Sequence, residues 1–174
     1  MPVTYIQIAT SAYTAVNCPY NKRTVMEVPA GQGKSRIAAG IAYLILFTSN
    51  VHVYMVYPNK GLKTRDEKEQ ANLFTVLHSV KPNTKKRLHY VNGIGGISKL
   101  DECVLIVDES DEVMFKNLRT FWNKINKEQR SVICLTAAAD DKYKGGVEEE
   151  ALETMGFKVY RNSRLVDLKK PQIH

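Results

Sequence analysis

The chain has 174 residues, 44% of them hydrophobic and 25% charged, with a formal net charge of +7. That size suits one domain with a full core and is too short for two α/β domains, and the composition excludes disordered and collagen-like classes. The longest mostly apolar stretch, residues 37–47, is too short to span a bilayer, and no basic-then-apolar leader opens the chain, so an intracellular setting (cytoplasm or nucleus) with no membrane segment is expected.

In chain order, Thr4 and Gln7 read as a capping box that opens a helix running to about Asn17, broken at Cys18 and Pro19. Residues 24–28 form a short β-branched strand, followed by a glycine-bearing loop from Pro29 to Ser35. Residues 36–47 place Ile37, Gly40, Ile41, Leu44, Ile45 and Phe47 at helical spacing. Residues 51–57 read as a strand, and Pro58 and Gly61 bound a turn. A helix over 62–80 is charged in its first half and carries Leu73, Phe74, Leu77 and Val80 on one face. Residues 88–91 are a strand before a loop with Gly93, Gly95 and Gly96. Apolar strands follow at 103–107 and 131–135, with a helix over 112–127 between them. An acidic helix over 147–155 ends at Gly156, and residues 157–160 form the last strand.

Strands that are apolar throughout need burial on both faces, so the alternation predicts an α/β fold: a mainly parallel sheet with helices on both faces. Residues 1–162 form this domain, and 163–174 read as a linker or truncated connection. Cys18, Cys103 and Cys134 are odd in number and lack metal-ligand spacing, so they read as buried, reduced thiols. Residues 1–100 hold 13 Lys and Arg against four Asp and Glu, whereas residues 101–174 hold 12 against 14. The basic half suggests an anionic partner, either phosphates or nucleic acid.

Three motifs carry chemistry. The first runs from Val28 through Pro29, Ala30, Gly31, Gln32, Gly33 and Lys34 to Ser35, between a strand and a helix. Its glycines let backbone N–H groups curl around a phosphate, and the helix start adds partial positive charge. Lys34 would reach the β- and γ-phosphates, Ser35 would ligate Mg²⁺, and Arg36 closes the nucleotide-binding stretch. The pattern GxxxxGK[ST] wants glycine where Val28 stands, but the GxGKS core is intact. In the second motif, an apolar strand delivers Asp108, Glu109, Ser110 and Asp111. Asp108 would hold Mg²⁺ and Glu109 would polarise an attacking water. The third, Thr136 followed by Ala137, Ala138 and Ala139, puts a hydroxyl and small residues at the end of the next apolar strand.

In this order the motifs resemble motifs I, II and III of the superfamily-two helicases, the DExD-box motor ATPases, whose motif I often reads APTGxGKT and whose motif III often reads SAT. Within that group the pattern is most similar to the SecA motor domains. Met26 and Glu27, the stretch Val51-His52-Val53 with Leu62, Arg65 and Asp66, and the segment 107–113 carry that likeness. The resemblance implies a RecA-like P-loop NTPase domain that binds ATP and Mg²⁺. Lys34, Asp108 and Glu109 would be catalytic, Asp111 and Thr136 would couple the site to motion, and Gln7 would contact adenine. Lys60, Lys63 and Arg65, near motif Ia, would meet a DNA or RNA backbone.

Two departures matter. Only residues 112–135 separate motifs II and III, so the large preprotein-binding insertion of SecA is absent and protein translocation is not carried over. The second RecA-like domain with its arginine fingers is also missing, so this chain is expected to hold half an active site and to be weakly active or inactive alone. The alternatives are a nucleotide-binding regulatory module without turnover and a fragment of a SecA-like protein-translocating ATPase. A small P-loop kinase fits DESD followed by TAAA poorly.

Overall fold

A computed structural model of the chain describes residues 23–28, 33–97, 103–109, 131–137 and 149–160, with 120 and 123 as isolated helical positions. The expected helix over 4–17 and most of that over 112–127 lie outside the described residues, although Thr120 and Asn123 are helical as expected. Six strands are described: β1 (Arg23–Glu27), β2 (His52–Tyr57), β3 (Leu88–Asn92), β4 (Cys103–Val107), β5 (Ser131–Thr136) and β6 (Phe157–Tyr160). The described α-helices are α1 (Lys34–Thr48), α2 (Lys60–Val80) and the short α3 (Glu149–Thr154), with 3₁₀ turns at Pro82–Lys86 and Ile94–Gly96.

The strands form one sheet in the order β3-β2-β4-β5-β1-β6, and every pairing is parallel. All carboxyl ends therefore share one edge. β5 lies between β1 and β4, with Val25 opposite Cys134 and Cys134 opposite Val107. The β4 and β5 strands are buried at every position, which is why their sequences are apolar without alternation.

Period-two alternation sorts the strands onto two cores. Val53, Met55 and Tyr57 face one side with Ile37, Ile41 and Ile45 of α1 and Phe74 and Leu77 of α2. Tyr54 and Val56 face the other with Val25, Leu105 and Leu152 of α3. Helices thus cover both faces, as the sequence predicts. Cys103 and Cys134 are buried thiols outside any disulfide, packed in this second core, and burial pushes the Cys134 thiol well above its ordinary range.

Three expectations need correction. Gly61 is not in a turn, because α2 already begins at Lys60, where the Asn59 side chain accepts a hydrogen bond from the Leu62 N–H at 2.9 Å. Leu73 and Val80 are not core residues: they are 41% and 67% exposed, and the buried residues of α2 are Asp66, Gln70, Phe74 and Leu77. Phe47 of α1 is likewise 48% exposed, while Ala38, Ala39, Ala42 and Leu46 are buried. The small alanines permit close helix–sheet approach, and the larger Phe47 stacks on Tyr43 instead of entering the core.

The carboxyl end of α1 is closed by two cations. Arg87 donates from Nη1 to the Ser49 and Val51 carbonyls, both at 2.9 Å, and from Nη2 to Leu46 at 3.1 Å. Lys81 Nζ donates to Leu46, Phe47 and Ser49. Orphan carbonyls and the negative helix terminus both favour this placement.

Candidate functional site

The site lies where β1, β4 and β5 end. Gly33 precedes α1 with φ 76°, a left-handed conformation that a side chain makes costly, and its carbonyl accepts from the Arg36 and Ile37 N–H groups. This turn aims Lys34 back over the sheet edge. The Val28 N–H donates to the Thr136 carbonyl at 2.8 Å, which ties the end of β1 to the end of β5.

Lys34 Nζ donates to Glu109 Oε1 at 2.5 Å and stands 4.0 Å from Asp108 Oδ1. The three side chains come from the start of α1 and the turn after β4, 75 residues apart in the case of Lys34 and Glu109. Asp108 is anchored by its N–H, which donates to the Val56 carbonyl at 3.0 Å. Glu109 has φ 49°, the sole positive value for a non-glycine residue among those described. Such a conformation costs on the order of 1–3 kcal/mol and is characteristic of functional sites.

Asp108 is 5% exposed. Burial pushes its carboxyl up to about 6, with Lys34 pulling against the shift and Glu109 and Asp66 adding to it. Its Oδ1 is buried without a hydrogen-bond partner. That orphaned hard oxygen, with the Ser35 hydroxyl in the first turn of α1, is a donor set that suits Mg²⁺. Mg²⁺ keeps several waters and takes few protein ligands, so the absence of a three-carboxylate cluster among the described residues is compatible with it.

A second layer lies behind Ser35. Gln70 Nε2 donates to the Ser35 hydroxyl and to the Ser35 carbonyl, both at 3.1 Å. Its Oε1 accepts from the Tyr90 hydroxyl at 2.8 Å. Tyr90 stacks with Tyr57 at 6.3 Å between ring centroids. Tyr57 ends β2 beside fully buried Asp66, whose Oδ1 accepts from Arg65 Nε at 3.0 Å and Nη2 at 2.9 Å. Burial first and the Asp66 charge second raise the Tyr57 hydroxyl above its ordinary range, and the two groups are neighbours short of a well-formed hydrogen bond.

Gly33, Lys34, Ser35, Arg36, Asp108, Glu109 and Thr136 lie along the carboxyl edge of the sheet, and Thr136 is fully buried. Gln7, Pro29, Ala30, Gly31, Gln32 and Asp111 lie outside the described residues. Lys60, Lys63 and Arg65 sit on the first turns of α2, which also starts at this edge. Lys63 pairs with Glu67 at 3.2 Å, and Arg65 with Asp66. Gln70, Tyr90, Tyr57 and the buried role of Asp66 are not anticipated by the motifs. The signal for two of them was present: Asp66 and Gln70 share core-facing spacing with Phe74 and Leu77.

No known protein-family pattern matches this sequence, and no curated protein matches it. Solved structures do match in fold. The UvsW helicase from bacteriophage T4 superposes with a TM-score of 0.61 at 12% identity, covering 92% of this chain and 61% of that one. The Hef helicase domain of Pyrococcus furiosus gives 0.59 at 17% identity, covering 93% and 39%. The large terminase of bacteriophage HK97 gives 0.56 at 12% identity, covering 92% and 39%. The chain therefore has the RecA-like fold of helicase domains and spans 39–61% of the length of these three structures.

Proposed function

We propose that the chain is the ATP-binding first motor domain of a helicase-like ATPase, which binds Mg²⁺-ATP at the carboxyl edge and a nucleic-acid backbone through α2. The observation that carries this reading is the convergence of Lys34 on Asp108 and Glu109, with Ser35 the next residue of α1, in a parallel α/β sheet. Helicase and terminase structures of the same fold support it.

Lys34 gives the γ-phosphate a cation held by α1, whose amino end adds its own partial charge. The phosphate competes with Glu109 for Lys34 Nζ. Once Lys34 turns to phosphate, the Glu109 carboxylate, half-exposed and strained in place, is free to accept a proton from water. Ser35 and Asp108 would hold Mg²⁺, which when bound neutralises phosphate charge. Burial of Asp108 makes its oxygen a poor host for a bare charge and a good one for a metal. An arginine finger from a second RecA-like domain is worth about 10³–10⁵ in rate, so this domain alone turns over ATP very slowly.

Lys60, Lys63 and Arg65 offer sequence-independent contacts to phosphates of DNA or RNA. The test is a pair of titrations. Fluorescent ATP-analogue binding should vanish in Lys34→Ala, and unchanged affinity would overturn the site. Binding to a single-stranded oligonucleotide should fall steeply with salt, and Arg65→Ala should flatten that slope; a salt-independent response refutes the nucleic-acid role and leaves a nucleotide-binding regulatory module.

A further inference from the structure

Gln70 has no part in the motifs, yet it is 6% exposed in the interior of a helix whose neighbouring positions are mostly solvated. A buried amide is costly unless its hydrogen-bonding capacity is used. Here it is. The Ser35 carbonyl can only accept, so the atom facing it must be the amide nitrogen, and the amide orientation follows without ambiguity. That nitrogen then donates to both the Ser35 carbonyl and the Ser35 hydroxyl oxygen. The remaining amide atom, Oε1, takes the Tyr90 proton, and Tyr90 is held in turn by stacking on Tyr57.

The consequence lies at the Ser35 oxygen. A hydroxyl has two acceptor lone pairs and one proton. Gln70 occupies one lone pair from the α2 side, which restricts the side-chain rotamer and leaves the other lone pair for a cation. We propose that Gln70 is a positioning residue for the divalent cation: it presents the Ser35 hydroxyl to Mg²⁺ in a fixed orientation and is itself fixed by Tyr90. The proposal rests on the nucleotide-site reading above. It deepens that reading, because it joins metal binding to α2, the helix whose first turns carry Lys60, Lys63 and Arg65.

Partners behind a metal ligand typically change metal affinity by about 10–100-fold when removed. The experiment measures the affinity of a fluorescent ADP analogue across a Mg²⁺ titration and again in EDTA, for wild type, Ser35→Ala, Gln70→Met and Tyr90→Phe. Gln70→Met keeps the length and burial of the side chain and deletes its hydrogen bonds. It should raise the Mg²⁺ concentration for half-maximal enhancement by about tenfold or more while leaving affinity in EDTA unchanged. A merely structural role would lower both together. Tyr90→Phe, which removes only the hydroxyl that anchors the amide, should shift the Mg²⁺ midpoint the same way by a smaller factor. A folded Gln70→Met protein with the wild-type Mg²⁺ midpoint, or one that loses affinity equally in EDTA, overturns the proposal. Should Gln70→Met not fold, Tyr90→Phe decides, and a wild-type midpoint there overturns it. If wild type shows no Mg²⁺-dependent binding, or Ser35→Ala keeps it, the nucleotide-site reading itself has failed, and the role of Gln70 falls with it.

Discussion

Replacing Asp108 by asparagine should stabilise the protein at neutral pH, although Asp108 sits in the middle of the candidate site. The reason is its burial, which lifts the carboxyl from the ordinary 3.8 to about 6 in the folded protein despite Lys34 4.0 Å away. A carboxyl whose folded pKa lies above its unfolded one binds its proton more tightly when folded. Its contribution is therefore fully present below the unfolded value and is lost as pH rises through the folded one, the reverse of the usual paired carboxylate. At about 1.4 kcal/mol per unit, the ionised group costs on the order of 3 kcal/mol at pH 8, roughly half of that at pH 5 and little at pH 4. Asparagine removes the ionisation and keeps the size. Urea unfolding of wild type and Asp108→Asn across this range should show the variant more stable at pH 8, with the advantage shrinking toward pH 4. In a domain of this length the corresponding rise in Tm at pH 8 is about 6 °C or more. Mg²⁺ with nucleotide should then raise the Tm of wild type and not of the variant. A variant no more stable than wild type at pH 8, or an advantage independent of pH, would refute the argument that burial dominates the Asp108 charge.

Three other outcomes are expected. Glu109→Gln should bind nucleotide up to about fivefold tighter, because a half-exposed carboxylate worth at most about 1 kcal/mol no longer competes for Lys34. Its turnover should disappear, and both effects are read by analogue titration and phosphate release. Gly33→Ala should destabilise by about 1–2 kcal/mol in urea unfolding, because φ 76° is strained for any residue with a β-carbon; a neutral result would mean that the turn can relax. Arg87→Met should cost about 2–3 kcal/mol by the same measurement, since Leu46, Ser49 and Val51 lose a buried charged donor. A loss below half of that would assign the closure of α1 to Lys81 instead.

Much of the site was legible because its requirements are local. Gly33, Lys34 and Ser35 are adjacent in the chain since one tight turn must curl, reverse and start a helix within three residues. Asp108 and Glu109 follow the apolar run of β4 because a buried strand delivers whatever comes next to the sheet edge. The strands themselves were legible from the same apolar runs, and Gly156, with φ 83°, ends α3 where a left-handed residue is needed. Periodicity was less informative on α2. Leu73 and Val80 fit the apolar template as well as Phe74 and Leu77 do, but only the latter pair meets the core.

What the amino-acid sequence determined by itself is the inventory: a parallel α/β domain, a glycine turn with its lysine and serine, and a strand-end carboxylate pair. Each is set by neighbours within a few residues, through backbone geometry and alternation of burial. The tertiary structure decided what stands against what. The order β3-β2-β4-β5-β1-β6 inserts β5 between the strands that carry the lysine turn and the carboxylates. It also brings Gln70 onto Ser35 across 35 residues and Tyr90 onto Gln70 across 20. No periodicity or motif encodes such pairs, because they depend on which strands lie side by side, and that is settled by the packing of the whole sheet between its helices.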